Sequence, residues 1–360
     1  MSRLAWRKLW FQVHKWIGLT LAILVIPLSL SGAALVWHDA LDRMVNPARY
    51  AVTGSTLIEA DTYVAAARAA LKPGDRISQL TIPGDGGPVA IAAQPAGAST
   101  GRRGPPVRTM VYLDPPTARI LQVAPSNSGV VRFLHVLHGS LQVPGVGRQI
   151  VGWIGVAMLV SSFTGLWLWW PTVGAWVKGL RWRRHRNTET NLHFLMGFWI
   201  SVPLFVLSLT GVWISFPGVF GGGRGPDRAA AMRAQALDDP AQPIGVVIER
   251  AATASRGAIR SISWPTTRSP DWTVTYAGGG TVKVADDGGI AVAVASRQSG
   301  GAARLMRRIH DGDGMGIVWQ VVIFLGGVLP AALAVTGVIM WWRAREWRAK
   351  AAIRGTGSGG

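Results

Sequence analysis

The stretch "WIGLTLAILVIPLSLSGAALVW", residues 16–37, runs for 22 residues without an Asp, Glu, Lys or Arg. As a helix it is long enough to cross the roughly 30 Å hydrocarbon core of a bilayer. Three further charge-free stretches follow at 149–177, 190–223 and 314–342, so four transmembrane helices are expected. Composition agrees with this reading. Hydrophobic residues make up 49% of the 360, charged residues only 15%, and 18 residues are Trp, a balance too apolar for an ordinary soluble domain.

The charges orient the chain. A formal net charge of +19 could point to nucleic acid, but residues 1–15, 178–190 and 343–360 hold 14 Lys and Arg against 2 acidic residues. The runs "KGLRWRRHR" (178–186) and "RAREWRAK" (343–350) flank helix ends, where the excess of cations on cytoplasmic loops explains them. No nucleic-acid partner is therefore expected, and both termini are expected in the cytoplasm. The first apolar stretch exceeds the ~7–15 residue core of a signal peptide and is expected to stay as an anchor. Cys is absent, which excludes disulfides, thiolate metal sites, iron–sulfur clusters and a covalently attached c-type haem.

An internal similarity sorts the seven histidines. Aligning "FQVHKWIGL" (11–19) with "TNLHFLMGF" (190–198) brings His14 onto His193, and "SLSGAAL" onto "SLTGVWI" brings Gly32 onto Gly211. Aligning "VLHG" with "RIHDG" brings His138 onto His310, and "FTGLWLWW" onto "VTGVIMWW" brings Gly165 onto Gly337. The chain thus reads as two copies of a unit made of helix, outer segment and helix. His38, His135 and His185 have no counterpart; His135 and His38 remain the weaker candidates for ligands.

Topology gives the four recurring histidines their depth. His14 and His193 begin the two outward-going helices, near the cytoplasmic face; His138 and His310 precede the two inward-going ones, near the outer face. One pair per side is expected. Two neutral imidazoles from different helices, facing each other in apolar surroundings, suit the axial positions of a b-type haem, and two such haems are expected. Zinc would require further ligands, and no third His, Asp or Glu recurs beside them. The small-residue sites at Ser31-Gly32, 162–165, Thr210-Gly211 and Thr336-Gly337 fit either close helix packing or room for a flat ring. The Trp clusters "WLWWP" and "MWW" are expected at the inner interface as aromatic belts.

The outer segments carry the same pattern twice. In the first, "IEADTYVAAARAAL" reads as a helix and "RISQLTIPG", "VAIAAQP" and "RTMVYLDPPTARILQV" as strands, the last a hairpin turning at "DPPTA". In the second, "IGVVIERAATA" is the helix and "AIRSISWP", "WTVTYAG" and "GTVKVADDGGIAVAV" the strands. No Ser-His-Asp set, paired carboxylates or phosphate loop stands out, and no catalytic residue is assigned. The expected layout is a cytoplasmic N-terminus and first helix (1–38), an outer α+β domain (39–148), a second helix (149–177), a basic cytoplasmic loop (178–190), a third helix (191–217), a second outer α+β domain (218–313), a fourth helix (314–342) and a basic tail (343–360).

The motifs "HKWIGL…LSLSG", "LHGSL…SFTGLWLWWP", "NLHFLMGFW…SLTG" and "RIHDGDGMG…VTGVIMWW" resemble the PepSY-associated transmembrane family of bacterial inner-membrane proteins, over nearly the whole chain. The outer units, with "VYLDPPTARIL", look like PepSY domains. The resemblance implies an α-helical membrane protein, a four-helix bundle with two small α+β periplasmic domains. It also implies two b haems held by His14, His193, His138 and His310, and, by analogy with members that reduce ferric siderophores, an electron path to a periplasmic ferric chelate. Some relatives carry a flavin reductase domain. Residues up to Gly360 include none, so a separate cytoplasmic reductase or a quinol is the expected donor. The rival expectations are a quinone-linked cytochrome b and a non-redox PepSY protein, sensory or protease-modulating, in which the histidines only pack.

Overall fold

The computed structural model describes residues 2–96, 107–170, 177, 185–220, 234–294 and 301–356. Along the chain, α1 (Arg3–Leu35) and α2 (His38–Val45) are followed by a 3-10 turn at Pro47–Tyr50, α3 (Ala60–Ala70) and strands β1 (Arg76–Thr81), β2 (Val89–Gln94), β3 (Thr109–Leu113) and β4 (Ile120–Pro125). Helices α4 (Val130–Ser140), α5 (Gly147–Trp169) and α6 (Thr188–Ser215) come next. Then follow α7 (Ile244–Ala254), strands β5 (Ile259–Ser263), β6 (Asp271–Tyr276), β7 (Thr281–Ala285) and β8 (Ala291–Val294), and finally α8 (Gly301–Asp311) and α9 (Gly316–Thr356). The chain divides into two compact units. One gathers Met1–His38, Leu134–Gly223 and Gly300–Gly360, the other Asp39–Phe133 and Arg224–Ser299.

In the first unit, four helices are long and apolar enough to span a membrane: Leu4–Leu35, Gly147–Trp169, Thr188–Ser215 and Gly316–Trp347. α1 packs against α5 and α9, and α6 packs against α5 and α9, so the bundle closes as a ring in which α1 and α6 are diagonal. Glycines let the helices approach. A β-carbon on Gly327 of α9 would stand 2.6 Å from the Ser29 carbonyl and 2.7 Å from the Ala33 side chain of α1, the small-residue packing typical of bilayers, where no hydrophobic drive separates helix from lipid. Pro27, Pro203 and Pro330 lie inside α1, α6 and α9, each removing one backbone donor from its ladder.

The helix limits differ from the charge-free windows. α1 begins at Arg3, taking in "RLAWRKLW", and α9 continues to Thr356, because Arg, Lys, Trp and Leu are all good enough helix formers to extend a span beyond the hydrocarbon. α5 stops at Trp169; the residues expected to carry it further, and most of the basic run at 178–186, lie outside those described.

The second unit corrects the expectation of two separate outer domains. All eight strands form one antiparallel sheet in the order β4-β3-β2-β1-β5-β6-β7-β8. The two halves meet where β1 pairs with β5, Leu80 opposite Ile262. The physical reason is an edge and a core. Each half alone would expose the unpaired edge of its first strand and bury little apolar area; joined, they close that edge and share one cluster that includes Leu80, Ile91, Val111, Ile262, Trp272 and Val282. Helices α3 and α7 cover this face through Tyr63, Ala67, Val247 and Ala251. On the opposite face Arg49 lies 4.3 Å from the Tyr112 ring, donates to Gln122 at 2.8 Å and pairs with Asp42 at 2.7 Å, which fastens the turn after α2 to β3 and β4.

The β3–β4 hairpin is tied by Asp114, which has no exposed surface. Its carboxylate accepts the Thr53 amide at 2.7 Å, the Thr53 hydroxyl at 2.6 Å and the Thr117 hydroxyl at 2.5 Å. Desolvation alone would raise its pKa. The Thr117 and Thr53 hydrogen bonds, helped by Arg119, outweigh it and hold the carboxyl below its usual range, because Asp114 is shielded by these polar neighbours rather than sunk deep in apolar core.

One joined sheet also fixes relative topology. The two outer segments contribute strands to the same layer, so they lie on the same side of any membrane that the four helices cross.

Candidate functional site

The recurring histidines meet in the pairs that their sequence positions imply. His14 of α1 and His193 of α6 face each other across the ring of helices with ring centroids 6.4 Å apart. His138 and His310 have centroids 6.0 Å apart. The latter two do not sit on the spans. They stand on the short helices α4 and α8, one element before α5 and α9, which the sequence reading had included in the outer segments. His38 and His135, the weaker candidates, pair with each other at 5.9 Å. His185 packs on Phe194 at 4.7 Å.

Each of the four imidazoles is seated on a glycine of a neighbouring helix. A β-carbon on Gly32 would come within 2.6 Å of the His138 Cε1, one on Gly165 within 3.1 Å of that of His14, one on Gly211 within 3.2 Å of that of His310, and one on Gly337 within 3.4 Å of that of His193. The glycines that align in sequence therefore serve the histidines directly. At these small-residue steps the group that lies closest to each glycine is an imidazole ring.

Behind each ring stands an acceptor for Nδ1. His14 Nδ1 is 3.1 Å from the Thr164 hydroxyl and 3.2 Å from the Ser161 carbonyl. His193 Nδ1 is 2.9 Å from the Thr336 hydroxyl. His310 Nδ1 is 2.9 Å from the Thr210 hydroxyl and 3.1 Å from the Leu207 carbonyl, and His138 Nδ1 is 2.8 Å from the Leu28 carbonyl. A carbonyl can only accept, so a ring held this way carries its proton on Nδ1 and keeps the Nε2 lone pair free for a ligand. Outside the spans, desolvation lowers the His138 pKa and takes that of His310 down to about 4, with the neighbouring His138 adding to the latter. Both rings are therefore neutral near pH 7.

The inner pair lines a cavity. His14 and His193 open onto a cavity of about 180 Å³, walled by residues that include Phe11, Met158, Trp169, Phe194, Phe198 and Met340. The walls come from all four spanning helices and are almost wholly apolar. Trp169, expected in an interfacial belt, is 2% exposed and packs on Phe198 at 4.1 Å; Trp170 and Trp342 are exposed.

These elements span the length of a single family pattern. The model of the PepSY-associated TM region matches residues 11–344. The chain belongs to the PepSY_TM family. No curated protein matches it.

For this PepSY_TM protein, the donor set decides which prosthetic group fits. Among the described residues no three His, Cys, Asp or Glu side chains gather to hold a metal ion, so an ion held by protein atoms alone would lack ligands. A haem brings four nitrogens of its own and asks the protein for one or two. Two imidazoles sharing one ion at about 2 Å per metal–nitrogen bond have centroids roughly 6 Å apart, and the space beside the inner pair is lined almost wholly by apolar residues. The residues fit haem. The Ser/Thr-Gly steps are the feature whose role the sequence reading missed. Its signal was present, since a hydroxyl residue precedes the glycine at all four places.

Proposed function

We propose that this PepSY_TM protein is a di-haem b-type electron-transfer protein of the bacterial inner membrane, in which His14 and His193 would hold one haem and His138 and His310 the other. The observation that carries the reading is the pairing itself: four histidines that recur within an internal similarity of the sequence meet two by two from different helices. Both termini lie in the cytoplasm in this reading, on the strength of the basic runs beside the helix ends.

When bound, haem supplies a one-electron iron centre whose potential the protein tunes. The chain's own contribution is positional. Gly32, Gly165, Gly211 and Gly337 let the imidazoles sit against the helices, their Nδ1 acceptors fix the ring orientation, and the aromatic and thioether walls of the inner cavity exclude water. No acid or base is needed for one-electron transfer. The acceptor we assign is a periplasmic ferric siderophore, reduced to release ferrous iron, with electrons drawn from a separate cytoplasmic reductase or from quinol.

The test is an absorption spectrum of the purified protein with haem quantification. Two low-spin b haems per chain are expected. A colourless protein that takes up no added haemin would overturn the reading and leave a non-redox PepSY membrane protein.

A further inference from the structure

Three of the four histidines stand behind a threonine that has already spent its only hydrogen. The Thr164 hydroxyl donates to the Val160 carbonyl at 2.8 Å, that of Thr210 to Val206 at 2.9 Å and that of Thr336 to Ala332 at 2.9 Å. These are bonds back along each threonine's own helix, the habit of hydroxyl residues in apolar spans. With the hydrogen so engaged, the oxygen can offer the imidazole only a lone pair. Backbone carbonyls point the same way, because Ser161 O at His14 and Leu207 O at His310 can only accept from Nδ1.

Position 31 departs from this arrangement. Ser31 aligns with Thr210 and donates back along its own helix in the same way, to the Pro27 carbonyl at 2.7 Å and the Leu28 carbonyl at 2.9 Å, but among the described residues its oxygen makes no hydrogen bond to His138. Leu28 O stands 2.8 Å from His138 Nδ1, the place that Leu207 O holds at His310, so the fourth ring keeps the backbone partner and lacks the hydroxyl.

We propose that Thr164, Thr210 and Thr336 are positioning residues that hold His14, His310 and His193 in the Nδ1–H tautomer and strengthen them as ligands, whereas His138 depends on the Leu28 carbonyl and not on Ser31. The electronic part rests on the haem reading above; the tautomer part does not. A hydrogen bond from Nδ1 raises the basicity of the far nitrogen, which favours the ferric state and lowers the potential of a ligated iron. Losing the hydroxyl weakens the ligand and raises the potential.

Two measurements on the full chain test this. In protein labelled with 15N-histidine, as purified, His14, His193 and His310 are expected as Nδ1–H tautomers; an Nε2–H tautomer at any of them overturns the proposal whether or not haem is present. In haem-loaded protein, Thr336→Val is expected to raise the midpoint of the inner haem by the equivalent of a severalfold change in its redox equilibrium, a tenfold change being 59 mV for one electron. Thr336→Ser should restore the wild-type value, and Ser31→Ala should leave the outer haem near its own. An unmoved midpoint in Thr336→Val, a serine variant that behaves like the valine one, or a Ser31→Ala shift as large as that of Thr336→Val sinks the idea. A wild type without haem would defeat the proposed function, and the tautomers would still decide the present point.

Discussion

Gly32 leaves so little room before His138 that a β-carbon at residue 32 would stand 2.6 Å from Cε1 and 2.9 Å from Nδ1 of the ring. Real β-carbon contacts do not reach the former distance, so the imidazole must move. At Gly337 the corresponding approach to His193 is 3.4 Å, an ordinary contact. Gly32→Ala is therefore expected to displace His138 and reduce haem content from two per chain toward one, while Gly337→Ala keeps both. Haem quantification per chain measures the difference; equal loss in the two variants would show that the glycines matter through helix packing alone.

Ligand substitutions separate the pairs. On the proposed haem reading, His14→Ala or His193→Ala should remove the inner haem and spare the outer, and His138→Ala or His310→Ala the reverse, because each variant lacks one of the two residues that would hold the group. His38→Ala and His135→Ala, whose rings pair with each other, should keep two. Redox titration with spectral deconvolution reads which haem is left. If His135→Ala instead empties the outer site, the assigned outer pair is wrong.

Orientation follows from charge. A reporter fused at Gly279, in the turn between β6 and β7, should register the periplasm, and one at Thr188, at the start of α6, the cytoplasm. An inverted result would place the basic helix ends outside and discard the electron direction proposed above.

Acid should act on the β3–β4 hairpin. A carboxyl whose folded pKa lies below its unfolded value of about 3.9 adds stability that is complete above that unfolded value. The contribution is lost as pH falls through the folded pKa. Asp114 is such a group, so its tie to Thr53 and Thr117 should hold at neutral pH and fail only as pH falls below the ordinary carboxylate range. Asp114→Asn should lower the stability of the sheet unit by about 1–3 kcal/mol at pH 7 and flatten its acid limb. Hydrogen exchange of residues 109–125 against pH provides the measurement, and an unchanged acid limb would refute the assignment.

The seam of the sheet offers a test of its unity. Leu80 and Ile262 are both fully buried and face each other across it. Leu80→Ala should cost roughly 2–5 kcal/mol and reduce exchange protection in β5 as well as β1. Loss confined to β1–β4 would mean that the two halves fold independently.

Much of this architecture was legible in the chain. Charge-free runs locate spans because lipid demands them, and alternating patterns such as "DWTVTY" locate strands because a half-buried sheet demands those. His14 and His193 could be paired from the alignment together with the topology that puts both near one membrane face. The edge-to-edge joining of β1 and β5 could not, since strand pairing between residues so distant in sequence leaves no local mark. The helices α4 and α8 were hidden for another reason: they are short, and "RLMRRIHD" is too charged to read as part of a span. The part played by Thr164, Thr210 and Thr336 was masked because a threonine beside a glycine in an apolar helix has an ordinary packing explanation.

The β1–β5 seam also has a consequence for biosynthesis. The first half of the sheet leaves the ribosome long before its partner strand exists, for α5 and α6 must be made and inserted before Ile259 appears. At about 5–20 residues per second, the chain from Thr81 to Ile259 takes roughly 10–40 s to synthesise. During that interval β1 presents an open edge to everything around it. The nascent protein therefore passes through a stage of heightened protease sensitivity and chaperone demand that the finished one does not share, and chains arrested just after α6 should be cleaved within the first outer segment far faster than full-length protein.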